Sequence, residues 1–303
     1  MKKSKIGNII GMIAGGLLMA LPFGLMAEEK KIGLVTIGAS FWSAGGTGCK
    51  ILKAMLESRG YKADTDTSRG NPMAFQRLQM FKEGRQGELM KAHQTEKARQ
   101  QAEKDVNSCL ADVSSKPWNF VCFQAHSSEP FEDPEGLRLP PYIEGIKAKM
   151  APGAKLVACM TWVKDPGKQN YEAIRKYYHA TAEKYGLLLA PSGDAFEIVE
   201  RDRKDIPIFR SDTEEYKTKN TGKIDRHPSI YGQYLNCCVV FAVITGESPV
   251  GLPAELPGII DDFEDKEGAG LKAPMKLSPE VAKYLRETAL KVVEAVKEKN
   301  AGK

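Results

Sequence analysis

The sequence predicts an α/β fold, a three-layer sandwich whose mostly parallel sheet is covered by helices on both faces. Three observations predict it. Short apolar runs at 31–37 (KIGLVTI), 118–124 (WNFVCFQ), 155–163 (KLVACMTWV) and 187–191 (LLLAP) alternate with segments of helical periodicity. Those runs are apolar at nearly every position, which suits strands buried on both faces, the condition of a parallel sheet. The composition, 42% hydrophobic and 27% charged, is that of a water-soluble globular chain with enough apolar residues for a core.

The elements follow in order. The run 31–37 ends at Gly38 and leads into a Gly-rich turn, Ala44 to Gly48. Residues 49–59 read as a helix with Ile51, Leu52, Met55 and Leu56 on one face, and Gly60 closes it. A second strand is expected over 61–67. The stretch 71–112 is rich in Gln, Lys, Arg and Glu and reads as a solvated helical insertion, interrupted by two glycines in GRQGELMKAH (84–93). After the strand at 118–124 comes a loop of turn residues, AHSSEPFEDPEGLRLPP (125–141), then a short helix over 141–150. The segment 170–186 is an amphipathic helix stopped by Gly186, 203–226 is polar and irregular, and 278–299 forms a last amphipathic helix. Between them, Cys237 to Ile244 is apolar at every position, so that helix must run through the core, and Gly246 ends it. Pro228 suits the first turn of the same helix.

The first 27 residues read as a secretory leader: Lys2, Lys3 and Lys5, then an apolar stretch from Ile9 to Met26, then Ala27 before Glu28 and Glu29. A periplasmic or secreted protein is expected, with 28–303 as one α/β domain and no stable membrane span once the leader is removed. The leader's lysines supply three of the five net positive charges, which leaves +2 on the rest. So slight a charge gives no general attraction for nucleic acid. The six cysteines of an exported chain invite bridges, and Cys49 with Cys109 is the pair best suited to form one. Cys122, Cys159, Cys237 and Cys238 sit in apolar runs and read as buried thiols. No CxxC and no zinc-ligand spacing occurs, and the first βα turn lacks GxGxxG, so no metal and no cofactor is expected.

Two residues carry the chemistry. Ser40, in IGASFWSAGG, follows the first strand, where a side chain can project into a cleft lined by backbone N–H groups. His227, in KIDRHPSIYGQYL, stands on a loop held by a helix buried in the core, a setting suited to a general base. His126 reads as a turn residue, and His93 and His179 as surface residues of charged helices. Trp42 and Trp162 are open between core packing and an aromatic platform for a sugar.

These segments together resemble the SGNH hydrolase superfamily, also called GDSL-type esterases, and within it a group of exported bacterial proteins. The resemblance rests on GASF (38–41), WNFVCFQAHS (118–127), MTWVKD (160–165), DRHPSIYGQYL (225–235) and ITGESPVGLP (244–253). It implies an SGNH/flavodoxin-like sandwich, with Ser40 as nucleophile and His227 as base. The implied oxyanion hole uses the Ser40 N–H, a glycine and the side-chain amide of Gln124, where most of the superfamily has Asn. GELMKAH makes Gly87 the matching glycine, with Gly84 the other choice. The chain departs from the pattern at Ala39, where Asn is usual, and at Ile224, where the acid normally lies three residues before the histidine. Asp225 lies two before it, and Asp212 or another carboxylate of 203–226 is open as the partner. The implied activity is hydrolysis of a small-molecule or glycan ester, such as an acetyl group on a carbohydrate, through an acyl-enzyme. The other readings are a non-catalytic envelope binding protein of the same fold and a two-lobed solute-binding protein.

Overall fold

The computed structural model describes residues 30–38, 47–68, 74–75, 78, 96–125, 139–163, 170–220, 224–260 and 274–302. The expected leader lies outside them. Strand β1 (Lys31–Ile37) sits between β2 (Lys62–Thr67) and β3 (Phe120–Phe123), and β4 (Lys155–Cys159) and β5 (Leu188–Ala190) extend the sheet beyond β3. Every neighbouring pair is parallel. The order β2-β1-β3-β4-β5 reverses direction between β1 and β3, which opens a crevice at their carboxyl ends. The inner strands are buried almost end to end, as their unbroken apolar sequences require.

Helices cover both faces. On one face α1 (Thr47–Ser58), α5 (Ser192–Asp202), α7 (Ile230–Thr245) and α8 (Pro279–Ala301) pack together around α7. Along α7 every residue from Gly232 to Ala242 is buried, so this helix is core on all sides. The other layer holds α2 (Glu96–Ser114), α3 (Leu139–Lys147) and α4 (Tyr171–Tyr185). In this layer α2 touches α3, and Lys147 Nζ donates to the Tyr185 carbonyl at 2.6 Å. Within 71–112, the described helix α2 turns Ala102, Cys109 and Val113 inward, so this polar helix still has a packed face.

The helix ends follow the sequence. Asn170 caps α4 by accepting from Ala173 N, and Gly186 closes it in the left-handed conformation, as Gly246 closes α7. Three regions of the chain were not legible. The segment α5 starts directly after β5 behind Pro191-Ser192-Gly193, residues that resemble a turn more than a helix start. The pair β6 (Glu255–Ile260) and β7 (Pro274–Lys276) forms a separate antiparallel ribbon, irregular between Leu256 and Ile260. Within 203–226, a 3₁₀ turn (Arg210–Asp212) and α6 (Glu214–Lys219) break the irregular stretch.

All six cysteines are free and buried, so the expected Cys49–Cys109 bridge does not form. Cys49 Sγ instead lies 3.1 Å from Thr67 Oγ1, across from β1 and β2. Burial pushes the Cys109 thiol up to about 11, and burial likewise raises Cys122 and Cys237. Thiolate is the reacting species. The native protein should therefore react with Ellman's reagent far more slowly than a free thiol, and all six thiols should react after denaturation without reductant. A denatured count below six would show that bridges form.

Candidate active site

Helix α7 supports the site from below. Its N-cap is Ser229, whose hydroxyl accepts from Tyr231 N at 3.1 Å and Gly232 N at 3.4 Å, so Pro228 precedes the cap and does not enter the first turn. The same hydroxyl donates to the Pro207 carbonyl. Around it, 206–210 runs antiparallel to 227–229. Ser229 N donates to Ile208 O, Arg210 N donates to His227 O (both 2.9 Å), and Phe209 bridges Pro228. Three stacked rings back this ribbon: Trp162 lies flat on Phe196 at 4.0 Å, and Phe196 tilts onto Phe209 at 5.6 Å.

Trp162 also fixes the loop to the sheet. It is fully buried, and its Nε1–H donates to the Arg226 carbonyl at 3.1 Å, one residue before His227. Since Trp162 lies just past β4, the histidine loop is tied to the carboxyl edge of the sheet. Burial excludes Trp162 as an exposed sugar platform; Trp42 lies outside the described residues.

Asp225 closes the arrangement. Its Oδ1 lies 2.5 Å from His227 Nδ1 and accepts the His227 backbone N–H at 2.9 Å. That second bond is an Asx turn, in which a carboxylate binds the N–H two residues on. The turn explains how an acid two positions before the histidine reaches its ring: one oxygen serves backbone and imidazole together. Ile224, at the superfamily's usual acid position, points to solvent with 66% exposure. Asp225 is 13% exposed in its side chain and His227 31%. Burial pushes the Asp225 carboxyl up, but hydrogen bonds from the His227 ring and N–H, with the His227 and Arg210 charges, outweigh it. The net effect holds the carboxyl below its ordinary value. An ionised carboxylate only accepts, so Nδ1 carries a proton and Nε2 is the ring nitrogen turned away from Asp225.

Gln124 follows β3 at the switch point, with its backbone N–H on Ile37 O at 3.0 Å. Its side chain is 1% exposed, and neither end of its amide has a partner among the described residues. A buried, unsatisfied amide costs free energy unless a ligand or water meets it. Beside it, past β4, the Thr161 hydroxyl is also buried and unpartnered among the described residues. Ser40, Gly84, Gly87, His93 and His126 lie outside the described residues. His179, expected at the surface, is partly buried, with Nε2 3.8 Å from Asp194 Oδ2. An open groove of about 530 Å³ lies between Lys31, Trp118, Lys155 and Thr245, at the amino edge of the sheet and away from these groups. Among the described residues no cluster of His, Cys, Asp or Glu could hold a metal ion, and no helix is long and apolar enough to cross a membrane.

Of the residues named from the sequence, the structure brings His227 and Asp225 together; Arg210, whose Nη1 lies 3.5 Å from Asp225 Oδ2, and the Trp162 N–H as a support of the loop were not read from the sequence. No sequence signal marks Arg210, because its contact depends on how two polar segments pair.

No family model matches the sequence, and no curated protein matches it. Among solved structures, the chain is similar to a DUF4886 family protein from Bacteroides uniformis ATCC 8492, at 16% identity and a TM-score of 0.54. That likeness covers 88% of this chain and 95% of the other. Weaker likenesses, each over 71% of this chain with a TM-score of 0.44, are to TesA at 15% identity and to LAE5 at 13%. They cover 98% and 96% of those chains, and LAE5 is described as an α/β hydrolase enzyme from the metagenome of Lake Arreo, Spain. At 16% identity the first likeness is one of fold, and over most of both chains the protein has the α/β architecture of its Bacteroides counterpart.

Proposed function

We propose that the protein is an exported serine hydrolase of SGNH type that cleaves a carboxylic ester through an acyl-enzyme. The observation that carries this reading is the Asp225–His227 pair, joined at 2.5 Å on a loop anchored to the carboxyl edge of the sheet. The sequence resemblance supplies the nucleophile, Ser40, two residues past Gly38 at the end of β1.

In this reading the Ser40 hydroxyl attacks the ester carbonyl carbon and His227 Nε2 takes its proton. The imidazolium that forms is stabilised by the Asp225 carboxylate. The tetrahedral oxyanion is met by the backbone N–H of Ser40, the N–H of Gly87 and the Gln124 amide, whose nitrogen has no other partner among the described residues. One such donor is typically worth about 3 kcal/mol. Collapse expels the alcohol with the proton from His227, and water attacks the acyl-enzyme with His227 again as base. An acetyl ester on a carbohydrate is the proposed substrate class, and the periplasm or exterior the proposed location.

The test uses residues 28–303 with a fluorophosphonate probe and p-nitrophenyl acetate. The wild type should be labelled and should hydrolyse the ester, and Ser40→Ala should abolish both. Absence of labelling and turnover in the wild type would overturn the reading.

A further inference from the structure

Asp225 presents one carboxylate oxygen to each of two side chains. Oδ1 faces the His227 ring, and Oδ2 faces the Arg210 guanidinium at 3.5 Å. Arg210 sits on the 3₁₀ turn, and its backbone N–H binds the His227 carbonyl at 2.9 Å. Next to it, the Ser211 hydroxyl donates to the Asp225 carbonyl at 2.9 Å. One short turn therefore grips the catalytic loop at both of its proposed working residues. The Arg210 side chain is only 24% exposed, so its charge acts on the carboxylate with little screening.

We propose that Arg210 is a positioning residue for the Asp225–His227 pair, holding Oδ2 so that Oδ1 is turned to the imidazole. The inference rests on the hydrolase reading for its consequence, but the pair itself can be examined without turnover. Among the described residues, the charged groups that act on the carboxylate are His227 on its own loop and Arg210 on the turn; Asp212 and Arg226 are the other ionisable residues of these two short segments. Removing the Arg210 charge frees Oδ2, so the carboxylate can turn about its Cβ–Cγ bond and Oδ1 is no longer held on the ring.

The experiment compares wild type, Arg210→Gln, Arg210→Lys and Arg210→Gln in an Asp225→Asn background. Ring-proton NMR follows His227, assigned by its loss in His227→Gln, and kcat and KM are measured on p-nitrophenyl acetate. Arg210→Gln should shift the His227 ring-proton resonances and lower kcat about tenfold with KM within twofold. Arg210→Lys should recover most of kcat, and in the Asp225→Asn background, where no carboxylate remains to be held, Arg210→Gln should lower kcat no further. His227 resonances unchanged in Arg210→Gln, or kcat lowered equally in both backgrounds, would overturn the proposal; Arg210→Met replaces the Gln variant should that variant not fold. Absence of ester hydrolysis and labelling in wild type would defeat the hydrolase reading instead, and the NMR comparison would still decide the role of Arg210.

Discussion

Asp225→Asn should lower kcat on p-nitrophenyl acetate by roughly 10³- to 10⁴-fold, with KM changed only a few-fold. The asparagine keeps the size and can keep the Asx turn, so the loop should hold its shape. What it loses is charge. The amide can present its N–H to Nδ1 and favour the tautomer with a protonated Nε2, and it gives no compensation to the imidazolium that the proposed deprotonation of Ser40 would form. The effect therefore lies in the transition state, which is why kcat and not KM should fall. Retention of kcat within twofold would remove Asp225 from the mechanism.

The same substitution carries a stability signature with a definite sign. The Asp225 carboxyl is held below its ordinary value of 3.8 in the folded protein. It therefore stabilises the fold above the unfolded value, and that contribution is lost as pH falls through the folded value. The stability difference between wild type and Asp225→Asn, read from urea unfolding, should be steady from pH 5 to 7 and shrink below about pH 4.

Gly232→Ala should be strongly destabilising, because the helix has no room for a methyl group at this position. A Cβ there would lie under 3.0 Å from the Ile208 carbonyl oxygen, 2.9 Å from Pro228 Cβ and 3.0 Å from Phe196 Cζ. None of these atoms is the free end of a flexible chain: one is backbone, one a proline ring, one a ring in the Trp162–Phe196–Phe209 stack. Relief requires α7 to lift from the 206–209 segment, which breaks the Ser229–Ile208 and Arg210–His227 bonds that shape the loop. The expected cost is about 3 kcal/mol, a fall in Tm of roughly 6–12 °C, with loss of the proposed esterase activity before unfolding. Gly145→Ala in α3 is the matched control. Among the described residues its Cβ would meet only Phe75 Cε1, at 3.9 Å, so this change should leave Tm unchanged or raise it slightly. Equal effects at the two positions would show that helix propensity, and not the close approach, governs Gly232.

How legible each part was follows from how local its cause is. The strands β1, β3, β4 and β5 could be read because strands buried on both faces leave an unbroken apolar run. Helix α7 could be read for the same reason, and Gly186 and Gly246 marked helix ends because αL caps favour residues without a Cβ. By contrast, α5 begins with Pro191-Ser192-Gly193, and its Gly193 is required by a contact with the Thr161 carbonyl that no local pattern reveals. The cysteines show the same limit: their count suggested a bridge, but every thiol is free and buried, and Cys122 is hydrogen-bonded to Cys159 without a covalent bond between them.

The sequence alone determined the sandwich, the helix that carries the histidine loop, and the two residue types, Asp and His, that meet there. Hydrophobic periodicity and short-range spacing are local properties, and a chain displays them without folding. Only the tertiary structure decided that Asp225 is the carboxylate that reaches the ring. That depends on the Asx turn, on the Trp162 N–H holding Arg226 and on Arg210 facing the far oxygen. The last two contacts join segments distant in the chain, and burial of the aromatic stack beneath the loop brings those segments together.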